Sequence, residues 1–145
     1  MKIRLGSLAE CVAVVEQIPE FAHKETQASL SARLSDKQDV LVLLAEHQGE
    51  LVGFKIGYAL DSHRYYSWFG GVSPQGRRLG VAQALLEAQE REVVGKGFKR
   101  LEVKSRNRFT GMLCLLLKNG YLIENIDKYE DSLESRIRFG KQFEN

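Results

Sequence analysis

A chain of 145 residues with 43% hydrophobic side chains has room for one packed core of ordinary size. Its formal charge of +2 is near neutral, which argues against a surface given over to nucleic acid and means that any anion site must be local. The opening MKIRLGSLAECVAVVEQIPEF lacks the uninterrupted apolar stretch of a signal peptide, and no window approaches the roughly 20 apolar residues of a membrane span, so no membrane contact is expected and the compartment read is cytoplasmic. Cys11 and Cys114 fall in apolar helical patterns, with no cysteine pair or histidine at ligand spacing, and are expected as buried thiols with no metal.

In chain order, residues 1–5 alternate lightly and read as a strand. Ser7 can cap a helix whose apolar positions are Leu8, Val12, Val15 and Ile18, stopped by Pro19. After the polar EFAHKE comes a second short helix over 26–34. VLVLLAE, 40–46, is the continuous apolar run of a buried strand, and Gln48-Gly49 turns it into a second strand over 50–60, an antiparallel hairpin. Asp61-Ser62-His63 marks the next turn. RYYSWFGGV, 64–72, reads as the third strand of this meander, with a bulge expected at Gly70-Gly71. From 79 to 96, Leu79, Ala82, Leu85, Leu86, Gln89 and Val93 share a helical stripe, and Gly95 and Gly97 end it. A strand over 98–104 then implies a right-handed parallel crossover. A helix over 109–118, Gly120, and strands near 121–126 and 134–139 complete one α/β domain over 1–145 with a mixed sheet of about six to seven strands and flanking helices.

The segment GGVSPQGRRLGVAQALLEAQE, 70–90, runs strand, glycine loop, helix. That geometry gathers unpaired N–H groups at the positive end of a helix and suits a phosphate. Arg77 and Arg78 add fork-shaped cations, Gly76 and Gly80 let main chain approach a ligand, and the small Ala82 leaves space over the first turn. Gly71 and Gly76 have P-loop spacing. Arg77-Arg78 nevertheless replaces the Lys and Ser/Thr of a nucleotide triphosphatase. An ordinary bulge, turn and solvated helix start is the bland alternative.

Arg77-Arg78-Leu79-Gly80-Val81-Ala82 matches R/Q-x-x-G-x-G/A, and the element order around it agrees. The chain thus resembles the GCN5-related N-acetyltransferases along nearly its whole length. RNRFTGMLCLLLKNGY, 106–121, is similar to a later family segment, with Asn107 and Gly120-Tyr121 in the matching places. The resemblance implies a bulged, splayed central strand pair and acetyl-coenzyme A as co-substrate. Backbone N–H groups of Arg78, Leu79, Gly80, Val81, Ala82 and Gln83 would line the pyrophosphate, with Arg77 and Arg78 neutralising it. Val72 would pair with the pantetheine arm, Asn107 would hold the arm from the other side, and the gap between Val72 and Val103 would admit the thioester. The implied acceptor is a small-molecule or peptide amine. A homodimer is common in the family, and the strand at 134–139 would contribute to one.

Acetyl transfer needs a neutral amine, and a free alkylammonium has a pKa of about 10.4, so a carboxylate or water must take its proton. The implied candidates are Glu20 and Glu25, in the loop between the first two helices, and Glu102. The oxyanion could accept the N–H of Val72 or Gly71 from a bulged strand. Leu116 stands where the family often has a tyrosine acid, which leaves Tyr121, Tyr129 or water to protonate a thiol whose pKa is roughly 8.5. The same departure sustains an alternative, a non-catalytic acyl-coenzyme A sensor. Tyr66 and Trp68 read either as core or as an acceptor wall favouring an apolar or cationic substrate. Lys96, Lys99, Arg100, Lys104, Arg106 and Arg108 would meet the coenzyme's adenosine phosphate, or else track a nucleic acid, which the near-neutral composition disfavours. The reading adopted is an N-acetyltransferase working by direct transfer through a tetrahedral intermediate.

Overall fold

Two capping boxes start the first helices. Ser7 and Glu10 exchange side-chain and backbone bonds ahead of α1 (Leu8–Val15), and Thr26 and Ser29 do so ahead of α2 (Gln27–Leu34). The computed structural model describes residues 1–21 and 23–144. Around these helices run β1 (Lys2–Leu5), β2 (Gln38–His47), β3 (Glu50–Ala59) and β4 (Arg64–Val72). They are followed by α3 (Val81–Gly95), β5 (Arg100–Arg106), α4 (Thr110–Lys118), β6 (Leu122–Asp127) and β7 (Arg136–Gln142). The strands form one mixed sheet in the order β1-β2-β3-β4-β5-β7-β6, in which β4 and β5 are parallel and the other pairs antiparallel.

Side-chain alternation divides the core between two faces. On one, Cys11, Val14 and Leu30 of α1 and α2 pack on Leu44, Phe54, Ile56, Tyr58 and Tyr66. On the other, Leu85, Leu86 and Leu116 of α3 and α4 pack on Leu43, Tyr65, Leu101, Val103 and Phe139. Cys11 is fully buried, and burial pushes its thiol up to about 12, whereas Cys114 lies on the exposed side of α4, contrary to the expectation for both cysteines.

Three further expectations change. The β4 bulge falls at Trp68, between the pairs Ile56↔Phe69 and Gly57↔Ser67, while Gly70 and Gly71 pair regularly with Lys55 and Phe54. The extra residue lets two consecutive rings share a face: Trp68 packs against Tyr58 and Phe69, with centroids 6.4 and 5.5 Å apart. Leu79 is outside α3 and 40% exposed, because Gly80 at φ 76 forms the N-cap and the helix starts only at Val81. The C-terminal strand is no dimer edge. β7 lies between β5 and β6, so both of its backbone edges are paired.

Beneath α3, two glycines of β3 let helix and sheet close. A Cβ on Gly53 would stand 2.7 Å from Val81 Cγ1, and one on Gly57 2.8 Å from Gln89 Nε2. Lys55 alternates onto this same face and is 7% exposed. Burial pushes its ammonium down to about 8, opposed in part by the charge of Glu90 on α3. Below pH 8 both folded and unfolded chains hold this proton, and the folded state bears the whole burial penalty. Between about 8 and 10.4 only the unfolded lysine keeps it, so stability rises with pH. Lys55→Met, which keeps the volume and removes the charge, is expected to stabilise the protein by roughly 2–3 kcal/mol at pH 7 in urea unfolding. The gain should shrink as pH rises toward 10; a pH-independent effect would contradict the assignment.

Candidate active site

β4 and β5 run side by side only from Arg64↔Arg100 to Ser67↔Val103. Past the Trp68 bulge, β4 stays with β3 as far as Val72, and β5 stays with β7 as far as Arg106, so a wedge opens between them. The amide of Ser73 donates to Val52 O at 2.9 Å. Antiparallel alternation from that bond turns the main-chain groups of Gly71 and Phe69 toward β3 and those of Gly70 and Val72 into the wedge. Of the two amides considered for an oxyanion, Val72 is therefore free to face a ligand, and Gly71 is not.

From β4 the chain passes a 3-10 turn at Pro74–Gly76, closed by Gly76 N–H to Ser73 O at 2.9 Å. Gly76 is needed for packing rather than for ligand approach, since a Cβ there would stand 2.8 Å from Val52. The next segment takes left-handed φ values of 65° at Arg78 and 76° at Gly80. Arg78 is an uncommon residue for this region. From Arg78 through Gln83 no backbone amide donates to any described residue, and the first bond of the helix is Ala84 N–H to Gly80 O at 3.0 Å. A row of free amides bent around left-handed residues at a helix N-terminus is a concave donor set for an anion.

These amides edge a cleft of about 320 Å³ whose walls include Val72, Arg77, Arg78, Gly80, Val81, Ala82 and Gln83. Leu79 does not line it. The opposite wall comes from Gly111, Met112 and Leu115 of α4, which the sequence reading missed. Their helical spacing was the available signal, but it is shared with the core residues beside them. Reciprocal amide bonds of 2.7 and 2.8 Å between Gln83 and Asn119 hold α3 and α4 together across the cleft. A larger open hollow of about 430 Å³ lies elsewhere, with Gln38, Asp39, Asp61 and Lys96 in its walls. It offers no row of free amides, and the Asp61 carboxylate already accepts from the amides of His63 and Arg64.

The remaining candidates separate. Glu20 grips Arg77 through two contacts of 2.7 and 2.8 Å, and that hydrogen bonding holds its carboxyl below the usual range. Glu25 accepts from Ser29 Oγ at 2.8 Å beside the start of α2. Glu102 lies on the α1/α2 face, in register with Tyr66, one residue pair before the wedge opens, and its Oε2 accepts from Arg64 (3.3 Å) and Arg100 (3.1 Å). Asn107 is outside the cleft lining. Its amide donates to Ser135 O (2.8 Å) and its side chain to Ser132 O (3.3 Å). Leu116 is buried in the core, and Tyr121 is buried with its hydroxyl donated to Glu90 at 2.6 Å, so neither offers an acid. Tyr129 is 42% exposed. Among the described residues no three His, Cys, Asp or Glu side chains gather as a metal site, and no helix is long and apolar enough to cross a membrane.

The profile of the Acetyltransferase (GNAT) family matches residues 10–120. An acetyltransferase of Photorhabdus laumondii is 29% identical over 120 residues, covering 81% of this chain and 76% of that protein. The ribosomal-protein-S18-alanine N-acetyltransferase from Escherichia coli has a similar fold, with a TM-score of 0.83 at 17% identity over 97% of this chain and 92% of that one. A GNAT family acetyltransferase from Elizabethkingia anophelis, with acetyl-CoA bound, gives 0.77 at 18% over 98% and 97%. The structural likenesses speak for the fold, and the profile spans the wedge, the amide row and both helices of the cleft: the chain belongs to the GNAT acetyltransferase family.

Proposed function

We propose that the protein transfers the acetyl group of acetyl-coenzyme A directly to a primary amine, with the reacting groups meeting in the wedge between β4 and β5. The observation that carries this reading is the unbonded amide row from Arg78 to Gln83 opening beside that wedge. A pyrophosphate there would accept from the amides of Arg78, Leu79, Gly80, Val81, Ala82 and Gln83, with Arg77 and Arg78 adding charge. The pantetheine arm would pair with the wedge-facing main chain of Gly70 and Val72 as an added strand, between apolar walls at Met112 and Leu115. Asn107 takes a positioning role, since its side chain is already bonded to the turn at Ser132–Glu134.

Attack of a neutral amine on the thioester carbon places negative charge on the carbonyl oxygen, and the Val72 N–H is the donor for it. For the proton we assign Glu102, directly or through one water. It lies on the α1/α2 face one residue pair before the wedge opens, with its Oε2 held by Arg64 and Arg100 and its Oε1 without a hydrogen-bond partner among the described residues. Glu20 is held low by Arg77 and serves to tie the α1–α2 loop to the amide row. Glu25 is engaged at the helix start. Release of the thiolate needs little help at a thiol pKa of roughly 8.5, and solvent or Tyr129 supplies its proton.

Calorimetric titration with acetyl-coenzyme A should show binding that weakens about ten-fold or more in Arg78→Glu and in Gly80→Asp, each of which sets a carboxylate among the free amides. Asp tolerates a left-handed φ, so the fold should survive, and Leu79→Ala should bind as the wild type does. A folded wild type that fails to bind would end the proposal. Glu102→Gln should lower kcat about 100-fold at neutral pH with coenzyme affinity retained, and activity should recover as rising pH deprotonates the amine in solvent. Full neutral-pH activity in that variant would remove Glu102 from the proton route.

A further inference from the structure

Resting on the transferase reading, we propose that the acceptor is an amine that also carries an anionic group, carboxylate or phosphate, held by a cationic mouth on the α1/α2 face of the wedge. Helices α1 and α2 cover that face over β2 to β4, and no described helix packs on it beyond β4. There β5 and β7 present Lys104 opposite Arg138 and Arg106 opposite Arg136, two cation-on-cation pairs in direct register. Like charges so placed oppose pairing of the strands; Asp127 of β6, in register with Arg136, and the Tyr66 and Tyr129 rings offset part of that cost, and a bound anion would offset the rest.

The acids nearby cancel only part of this charge. Asp127 takes Arg138 at 2.9 Å, and Glu134 is shared between Arg106 (3.5 Å) and Arg108 (2.8 Å). Arg33, Lys104 and Arg136 have no carboxylate partner among the described residues, and the Nε of Arg136 is buried with no acceptor at all. Burial, then the charges of Arg138 and Arg136, with Arg33 further off, push the Lys104 ammonium down against the opposing pull of Asp127. The same field would favour the neutral, nucleophilic form of an arriving amine.

The aromatic side chains agree. Arg33 stands 4.9 Å over Trp68, Lys104 5.5 Å over Tyr66, and Arg106 and Arg136 lie 5.3 and 5.8 Å from the Tyr129 ring. The Trp68, Tyr66 and Tyr129 rings are thus already met by the protein's own cations, which weighs against a purely cationic substrate there.

Trp68 is the only tryptophan in the chain and sits in the mouth, so its emission reports binding without any turnover. With saturating coenzyme A present, O-phosphoethanolamine is titrated against ethanolamine, and β-alanine against propylamine. The anionic member of at least one pair should bind about ten-fold or more tightly than its neutral partner, and which pair discriminates tells phosphate from carboxylate. Lys104→Gln and Arg136→Gln should each weaken that binding about ten-fold or more while acetyl-coenzyme A affinity is kept. If Arg136→Gln does not fold, Lys104→Gln and Arg33→Gln carry the comparison. Equal binding within both pairs, or unchanged affinity in the folded variants, would overturn the proposal. Loss of acetyl-coenzyme A binding by the wild type would strike the transferase reading instead and leave the anion result standing.

Discussion

The extra residue at Trp68 is the constraint on which the rest of the site depends. A bulge in β4 bends and twists the strand away from β5 just where their parallel pairing ends, at Ser67↔Val103. The bend is held from the α1/α2 face by a run of rings in which Phe69 meets Phe54 at 5.0 Å and Phe21 at 5.4 Å. Gly71 lies under that contact; a Cβ there would stand 2.7 Å from Ile18 and 3.1 Å from Phe21. Packing on one side of the sheet thus keeps backbone donors and acceptors unpaired in its middle. Such groups are costly to leave unused in an interior.

The wedge and the amide row belong to one device because β4 runs through a single short turn into α3. Gly76 seats that turn on Val52, and the left-handed residues Arg78 and Gly80 curl the chain so that consecutive amides point together. Two polar links hold the parts in place: Gln83 with Asn119 across the cleft, and Glu20 with Arg77 from the α1–α2 loop. The second is exposed enough to be weak in isolation. It nevertheless joins the loop that borders the mouth to the loop that offers the amides. The two faces of the wedge consequently differ in character, with free amides and apolar helix walls on the α3/α4 side and crowded cations with aromatic rings on the other.

The glycine and arginine spacing of 70–90 made the amide row legible in the sequence, because helix-terminus chemistry is local. The meander, the crossover and the Gln48-Gly49 turn were legible for the same reason. What misled was also local: Gly70-Gly71 is a strong bulge signal, but the bulge is decided by where Trp68 and Phe69 find ring partners, Tyr58 and Phe54 on the neighbouring β3. Leu79 fits the helical stripe by count, yet Gly80 starts the helix after it. The insertion of β7 between β5 and β6 is a matter of topology that no short window contains, and the facing cations of Lys104 and Arg138 follow from it. The orientation of Glu102 likewise waited on the β4–β5 register.

The most direct measurement is a backbone amide NMR titration of the folded protein with acetyl-coenzyme A. The account predicts that the largest shifts fall on Gly70, Val72 and the run from Arg78 to Gln83, with Gly71, whose amide faces β3, moving much less. Shifts concentrated elsewhere, such as around Asp39 and Asp61, or an amide row left unmoved at saturation, would contradict it.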